Sequence, residues 1–244
     1  MRIAPGVEML ELSVPGRDSL LHPTVIYDES GYVLIDTGMP GSRDSIIGLI
    51  VQAGLEPDKL RGIILTHQDI DHIGSLPFWL SAAKPAGLDV YAHEGDRNAI
   101  DGNEPLLKVS PERMAGLIEA MPESMRETFR SFFSGDNANV THTVEDGETL
   151  PFGGGLKVIH TPGHTPGHIS LYHEASRTLI AGDAMVMNGS ELSGPNPPFT
   201  PNLQQAHESL RKFAAYPIDN VICYHGGQYS RDVNKRIAEL AEQA

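Results

Sequence analysis

The first part of the chain alternates apolar and polar positions with the period of two that half-buried strands have. This pattern predicts a strand within residues 3–14 and a β-hairpin over residues 23–36, whose turn is closed by Gly31. Over residues 42–53 the apolar positions recur at helical spacing instead, which predicts an amphipathic helix. The chain therefore begins with antiparallel strands and then changes to helix.

An apolar run that ends at Thr66 predicts a buried strand over residues 61–66, and helical spacing over residues 73–83 predicts the helix that follows it. Residues 85–87, which read Pro-Ala-Gly, are expected to stop that helix. Residues 89–92 are expected to form another short strand. Strands followed by alternating strands and helices predict an α/β fold with mixed sheets.

The second half of the chain repeats this order. Strands are predicted at residues 148–152, 156–160, 169–172, 178–182 and 221–224, and helices at residues 203–215 and 232–243. Residues 188–201 are rich in Gly, Pro and Asn, which predicts a loop near the mouth of a site. No linker separates these elements, so the sequence predicts one domain spanning residues 1–244.

Residues 93–140 follow a different pattern. Turn-forming residues come first, and Met and Phe side chains then recur at spacings compatible with helix on either side of Pro122. One interpretation is an insertion that packs down as ordinary core. The other is a helical cap over an active site, with an apolar pocket for an acyl chain because methionine-rich surfaces adapt to different ligands. We predict a helical cap over residues 93–140.

Charge and composition narrow the possible partners. The 244 residues have a formal net charge of −14, which argues against nucleic acid as a partner. No stretch approaches the ~20 apolar residues of a membrane-spanning helix, and the N-terminus lacks the apolar segment of a signal peptide. The single cysteine, Cys223, excludes an intrachain disulfide. We therefore expect a cytoplasmic protein that acts on a small molecule. A homodimer is compatible with this expectation.

Histidine or aspartate follows four of the predicted strands. These residues are His67, His164, Asp183 and His225. Loops at strand ends are where α/β folds place functional side chains. A lone histidine at one strand end would more often be a turn residue, but four such ends in one chain predict a metal site.

The loop after residues 61–66 carries most of the candidate ligands, namely His67, Asp69, Asp71 and His72. Alternate residues of an extended loop point to related sides, whereas His72 follows Asp71 directly and must point elsewhere. That arrangement suits two ions better than one. Histidine and carboxylate ligands without thiolates are typical of Zn, Mn, Fe or Co.

Asp36 ends the second strand of the predicted hairpin. Its carboxylate either caps a loop or helix or accepts a hydrogen bond from a metal-bound histidine. The local pattern leaves both interpretations open.

These motifs resemble those of the metallo-β-lactamase superfamily over nearly the whole chain. The usual family loop reads His-x-His-x-Asp-His-x-Gly, and residues 67–74 read His-Gln-Asp-Ile-Asp-His-Ile-Gly; residues 161–168 repeat Thr-Pro-Gly-His. The resemblance implies an αββα sandwich of two mixed β-sheets flanked by helices, holding two divalent ions with zinc as the first expectation. By position it implies His67, Asp69 and His164 as ligands of one ion, Asp71, His72 and His225 as ligands of the other, and Asp183 as the bridge between them. His168 is then expected outside the ligand shell.

Asp69 departs from the family pattern, which has a second histidine at this position. A carboxylate adds negative charge and hardens the first site, which favours Mn or Fe over Zn or leaves the site weakly filled. If Asp69 does not bind, the protein works with one tightly held ion. We predict that Asp69 is a ligand.

The resemblance implies a hydrolase in which a metal-bound hydroxide attacks the substrate and Asp71 orients it or moves its proton. Two features resemble the glyoxalase II and lactonase branches of the family. His72 stands directly after Asp71, and Asp183 stands where class B β-lactamases often carry Cys. The expected substrate is a small ester, lactone or thioester. The alternatives are phosphoester hydrolysis at the same site and a catalytically silent metal-binding or sensor protein of this fold.

Overall fold

The computed structural model describes residues 1–16, 18–83 and 87–243. The strands of the first half are β1 (Arg2–Ala4), β2 (Val7–Met9), β3 (Leu12–Ser13), β4 (Leu20–Leu21), β5 (Thr24–Asp28), β6 (Gly31–Ile35), β7 (Leu60–Ile64), β8 (Asp89–His93) and β9 (His142–Val144). Those of the second half are β10 (Thr149–Leu150), β11 (Leu156–His160), β12 (Ile169–His173), β13 (Thr178–Gly182), β14 (Val186–Asn188), β15 (Glu191–Ser193), β16 (Asn220–Cys223) and β17 (Gly227–Tyr229). The helices are α1 (Arg43–Gln52), α2 (Ile70–Ile73), α3 (Leu76–Ser81), α4 (Glu94–Ile100), α5 (Pro111–Ala120), α6 (Glu123–Phe132), α7 (Leu203–Leu210) and α8 (Val233–Ala241).

Most of the strands form two large mixed sheets. The first has the order β1-β2-β5-β6-β7-β8-β9 and the second the order β10-β11-β12-β13-β16-β17. Strands β6 to β9 run parallel to one another, and β13 and β16 form the parallel pair of the second sheet. The remaining neighbours in both sheets pair antiparallel, as the mixed α/β prediction requires.

Three layers of buried apolar side chains hold this architecture together. The central layer joins the two sheets, with Ile35 and Ile64 from the first and Leu171 and Ile222 from the second. A second layer packs α1 and α3 on the outer face of the first sheet, and a third packs α7 and α8 on the outer face of the second. Strands β6 and β7 contribute buried apolar side chains to both the central and the outer layer, as is typical of parallel strands in α/β folds. The predicted αββα sandwich is confirmed.

Two predicted elements of the first half are subdivided in the structure. Residues 3–14 form three short strands instead of one, because the chain reverses at a turn in which Gly6 has a φ of +79°. Residues 73–83 do not form one helix: α2 ends at Ile73 and α3 begins at Leu76. Pro77 has no N–H to donate to the carbonyl of Ile73, so one continuous helix cannot form there. The predicted stop at residues 85 and 86 lies outside the described residues.

The second half also contains elements that the pattern did not predict. Residues 188–201 include β15, and α7 continues over residues 211–215 as a 3₁₀ helix rather than as α-helix. Strands β9, β14 and β17 are each only three residues long, too short for an alternating pattern to be recognised.

The segment over residues 93–140 contains α4, α5 and α6. Helix α6 packs against α3 and α5, and Leu106 and Phe132 belong to the apolar layer outside the first sheet. Part of the segment is therefore ordinary core. None of the helices in the described ranges is long and apolar enough to cross a membrane.

The candidate site residues lie where parallel strands end. Asp36 follows β6, the loop containing His67 follows β7, and Asp183 follows β13 directly. His225 lies two residues after β16. The carboxyl ends of these strands meet at one edge of the sandwich, so residues from distant parts of the sequence face a common space.

Candidate metal centre

The structure brings the seven predicted metal ligands into two adjoining groups. We call the group of His67, Asp69, His164 and Asp183 the first half-site and the group of Asp71, His72 and His225 the second half-site. Within each group the ligand atoms all lie within 4.8 Å of one another. The fold therefore brings together residues from four separate parts of the sequence.

In the first half-site, Asp69 and Asp183 both face His164. Oδ2 of Asp69 is 3.0 Å from Nε2 of His164 and 3.3 Å from Nε2 of His67. Oδ2 of Asp183 is 3.3 Å from the same atom of His164. Asp69 therefore points its carboxylate at the imidazole nitrogens, although it stands where the resembled family has histidine.

The second half-site also faces Asp183. Nε2 of His225 lies 3.4 Å from Oδ2 of Asp71 and 3.4 Å from Oδ2 of Asp183. Oδ1 of Asp183 lies 3.4 Å from Nε2 of His72. Asp183 is therefore in reach of both half-sites, which is the position expected of a bridging ligand.

Buried polar atoms without a protein partner lie at the centre. Among the described residues, Nε2 of His67, Nε2 of His72 and Oδ1 of Asp183 are buried and have no hydrogen-bond partner. Such atoms are costly in a protein interior unless something else satisfies them. Imidazole nitrogen and carboxylate oxygen are also the donor atoms that bind zinc and similar ions. The residues present therefore fit divalent metal ions.

Asp36 fixes the orientation of two candidate ligands. Its Oδ2 accepts hydrogen bonds from Nδ1–H of His72 at 2.8 Å and from the Thr66 hydroxyl at 2.8 Å. Because Thr66 donates to Asp36, its oxygen can accept from Nδ1–H of His67, 3.0 Å away. Both histidines then present the lone pair of Nε2 to the centre. Of the two interpretations of Asp36 that the sequence left open, the structure places it as the histidine partner.

His168 has a different role from the candidate ligands. Its Nε2 accepts a hydrogen bond from the backbone N–H of Asp183 at 2.9 Å, and its Nδ1 lies 2.8 Å from the Thr161 hydroxyl. The lone pair that could bind metal is thus already used. His168 therefore positions the backbone of Asp183.

Asp96 joins the two ligand-bearing loops, although no sequence motif pointed to it. Its buried carboxylate accepts hydrogen bonds from the backbone and side chain of Gln68, from the Thr165 hydroxyl and from the backbone of Gly167. Gln68 lies in the loop after β7, which also carries His67, and residues 165 and 167 lie in the loop that carries His164. A single carboxylate therefore fixes the two loops relative to each other.

Lys108 is a second residue that the sequence pattern did not indicate. Its Nζ lies 2.6 Å from Oδ2 of Asp69 and 2.6 Å from Nε2 of His164. It comes from the segment predicted as a cap, far from both partners in the sequence. No motif surrounds Lys108, so only the folded chain reveals the contact.

Electrostatics in the second half-site favour a cation. Burial alone would lower the pKa of His225, but Asp183 and Asp71 raise it to about 9. Burial would likewise lower the pKa of His72, yet Asp36 and Asp183 hold it well above its usual range. Burial would raise the pKa of Asp183, but His225 and His72 hold it well below its usual range. In the metal-free protein, protons on the histidines balance the carboxylates, and a metal ion would replace them.

The second half-site is the more accessible side of the centre. The side chains of His225 and Asp71 are 33% and 18% exposed, whereas those of Asp69, His164 and His67 in the first half-site are 14%, 2% and 0% exposed. A substrate would therefore approach past His225 and Asp71.

Comparison with known proteins identifies the family of this chain. The model of the metallo-beta-lactamase superfamily matches residues 22–225. The probable metallo-hydrolase YflN of Bacillus subtilis (strain 168) is 34% identical over 224 residues, which cover 87% of this chain and 82% of that protein. The chain therefore belongs to the metallo-beta-lactamase superfamily, and its relatives include probable metallo-hydrolases.

Solved structures agree at the level of the fold. A metallo-beta-lactamase family protein from Thermus thermophilus is similar with a TM-score of 0.72 and 25% identity, covering 99% of this chain and 80% of that one. An archaeal metallo-beta-lactamase superfamily protein from Sulfolobus tokodaii has a TM-score of 0.63 and 22% identity, covering 98% of this chain and 85% of that one.

Proposed function

We propose that this chain is a metal-dependent hydrolase that cleaves a small ester, lactone or thioester. The observation that carries the proposal is the position of Asp183, whose carboxylate oxygens lie within 3.4 Å of Nε2 of His72, His164 and His225, so that it faces both half-sites. The superfamily membership and the probable metallo-hydrolases among its relatives support the hydrolytic class.

The two half-sites would each hold one divalent ion, with zinc as the first candidate and Mn, Fe or Co as others. Such a pair of ions acidifies water towards a pKa of ~7 and polarises a carbonyl group when bound. Asp71 is proposed to accept the proton of the attacking water at Oδ2 and to return it to the leaving group. Although burial raises the pKa of Asp71, the hydrogen bond from His225 outweighs this effect, so the carboxylate is ionised and able to accept a proton.

Features around the centre support a small, partly apolar substrate. Leu107 and Phe199 are 51% and 61% exposed. Each is the sequence neighbour of a residue that contacts His164: Lys108 at Nε2 and Thr200 at Nδ1. Because Lys108 and Leu107 belong to the segment over residues 93–140, we propose that this segment caps the site. The glyoxalase II and lactonase branches remain our proposal for the nearest chemistry.

A substrate panel tests the proposal. Metal-free protein is reconstituted separately with Zn, Mn, Fe or Co and assayed with p-nitrophenyl ester, lactone, thioester and phosphodiester substrates. We expect metal-dependent turnover of at least one carbonyl substrate, because divalent ions at the two half-sites would polarise a carbonyl group. Turnover of the phosphodiester alone would reject the carbonyl proposal.

The same preparation tests the catalytically silent alternative. Binding of divalent ions together with hydrolysis supports the enzyme. A protein that binds none, and whose thermal stability is unchanged by chelation, would instead be a silent member of the fold.

A further inference from the structure

A positive charge from the chain itself lies inside the first half-site. The Lys108 ammonium contacts Oδ2 of Asp69 and Nε2 of His164, each at 2.6 Å, and these atoms are the candidate ligand atoms themselves. Among the ion pairs of the described residues, the second half-site has neither a lysine nor an arginine partner. The two half-sites therefore differ in the cation they already contain.

The contact with His164 uses the lone pair that a metal ion would need. The Thr200 hydroxyl donates to the carbonyl of Asn196 at 2.8 Å, so its oxygen can accept Nδ1–H of His164 at 3.3 Å. Nε2 of His164 then carries a lone pair, and the ammonium, which has three donors and no acceptor, donates to it. One lone pair cannot serve both cations.

Lys108 is held in this position by neighbouring backbone. The N–H of Leu107 donates to Oε1 of Gln68 at 2.7 Å, and Nε2 of Gln68 donates to Oδ1 of Asp96 at 3.0 Å. The side chain of Lys108 is only 19% exposed. The carboxylate that fixes the ligand-bearing loops thus also fixes the backbone beside the lysine, so Lys108 is not a freely mobile surface residue.

The charges of Lys108 and Asp69 compensate each other. A carboxylate in place of a neutral histidine adds one negative charge to the half-site, and the ammonium adds one positive charge. Oδ2 of Asp69 lies 2.6 Å from the Lys108 ammonium, so the two opposite charges are in direct contact. The unusual ligand and the lysine therefore form a matched pair.

We propose that Lys108 is a built-in competitor for the first half-site, which an incoming metal ion must displace from Asp69 and His164. The second half-site then fills first, and the ion in the first half-site binds more weakly. The inference rests on the metal site of the proposed function but is independent of the substrate.

The test compares metal-free wild type with Lys108→Met by zinc titration against a chromophoric chelator and by calorimetry. We expect wild type to bind two ions whose affinities differ by roughly 10- to 100-fold. Lys108→Met keeps the length of the side chain without its charge, and it should tighten the weaker ion by a similar factor. Lys59→Met is the matched control, because Lys59 makes an equally short ion pair, 2.6 Å to Glu56, between two exposed side chains that belong to neither half-site. It should bind zinc as wild type does.

Two ions of equal affinity in wild type would overturn the proposal. So would a weaker ion whose affinity falls or stays the same in Lys108→Met. Should that variant fold poorly, Lys108→Gln replaces it, and its zinc-dependent rise in Tm must exceed that of wild type. The absence of any zinc binding would overturn both this inference and the proposed function, whereas normal zinc binding without hydrolysis of any substrate would overturn the proposed function alone.

Discussion

Asp183→Asn is expected to lower kcat/KM by about 10³-fold, the largest effect of any single substitution in the site. The carboxylate faces His164 of the first half-site and both histidines of the second, at distances between 3.3 and 3.4 Å. An amide is nearly the same size but neutral, so several kcal/mol of stabilisation of the bound ions and the reacting charge are removed. Steady-state kinetics on the best substrate of the panel measure the effect.

Asp219→Asn is the control for this substitution, because Asp219 is 62% exposed and pairs loosely with Arg177 at 3.9 Å. It should leave kcat/KM unchanged. If Asp183→Asn retained activity within about tenfold of wild type while folding normally, Asp183 would not be the ligand common to both half-sites.

Asp36→Asn is expected to weaken zinc binding by roughly 10- to 100-fold, although Asp36 is not a candidate ligand. Its carboxylate accepts hydrogen bonds from His72 and Thr66, and through Thr66 it also orients His67. Asp36 has a φ of +63°, a left-handed conformation that asparagine tolerates best among the other non-glycine residues. The variant should therefore fold. An asparagine amide NH₂ in place of Oδ2 cannot accept the hydrogen bonds that His72 and Thr66 donate.

Chelator competition measures the affinity, and activity is then followed as zinc is added. Because the ligands themselves are intact, excess zinc should restore much of the lost activity. Asp44→Asn, at a side chain that is 91% exposed, should behave as wild type. Unchanged zinc affinity in Asp36→Asn would mean that the orientation of His67 and His72 does not depend on this carboxylate.

The candidate ligands could be found from the sequence because each carries a local signal. His67 and Asp183 come directly after apolar strands, and the loop over residues 161–168 has a repeated motif. Strand ends that meet at one edge of a sheet predicted a shared metal site, and the order of strands and helices predicted an α/β fold with mixed sheets. The division of the seven residues into two groups and the αββα layers came from the resemblance to the metallo-β-lactamase superfamily.

The supporting residues could not be found in this way, because their roles depend on contacts between segments far apart in the chain. Asp96 reaches Gly167 across 71 positions, and Lys108 reaches His164 across 56. Neither has a distinctive neighbourhood in the sequence. The break between α2 and α3 had a local cause in Pro77, but apolar residues on both sides of the break kept helical spacing and concealed it.

Diffraction data from crystals of the purified enzyme, collected at the absorption edge of the metal it contains, test the central claim most directly. We expect an anomalous peak bounded by the second half-site and Asp183, with weaker or partial density in the first half-site. The stacked surface pair His93 and His160, whose ring centroids are 3.8 Å apart, should show none. An active enzyme without an anomalous peak at Asp183, or with peaks only at surface histidines, would contradict the account.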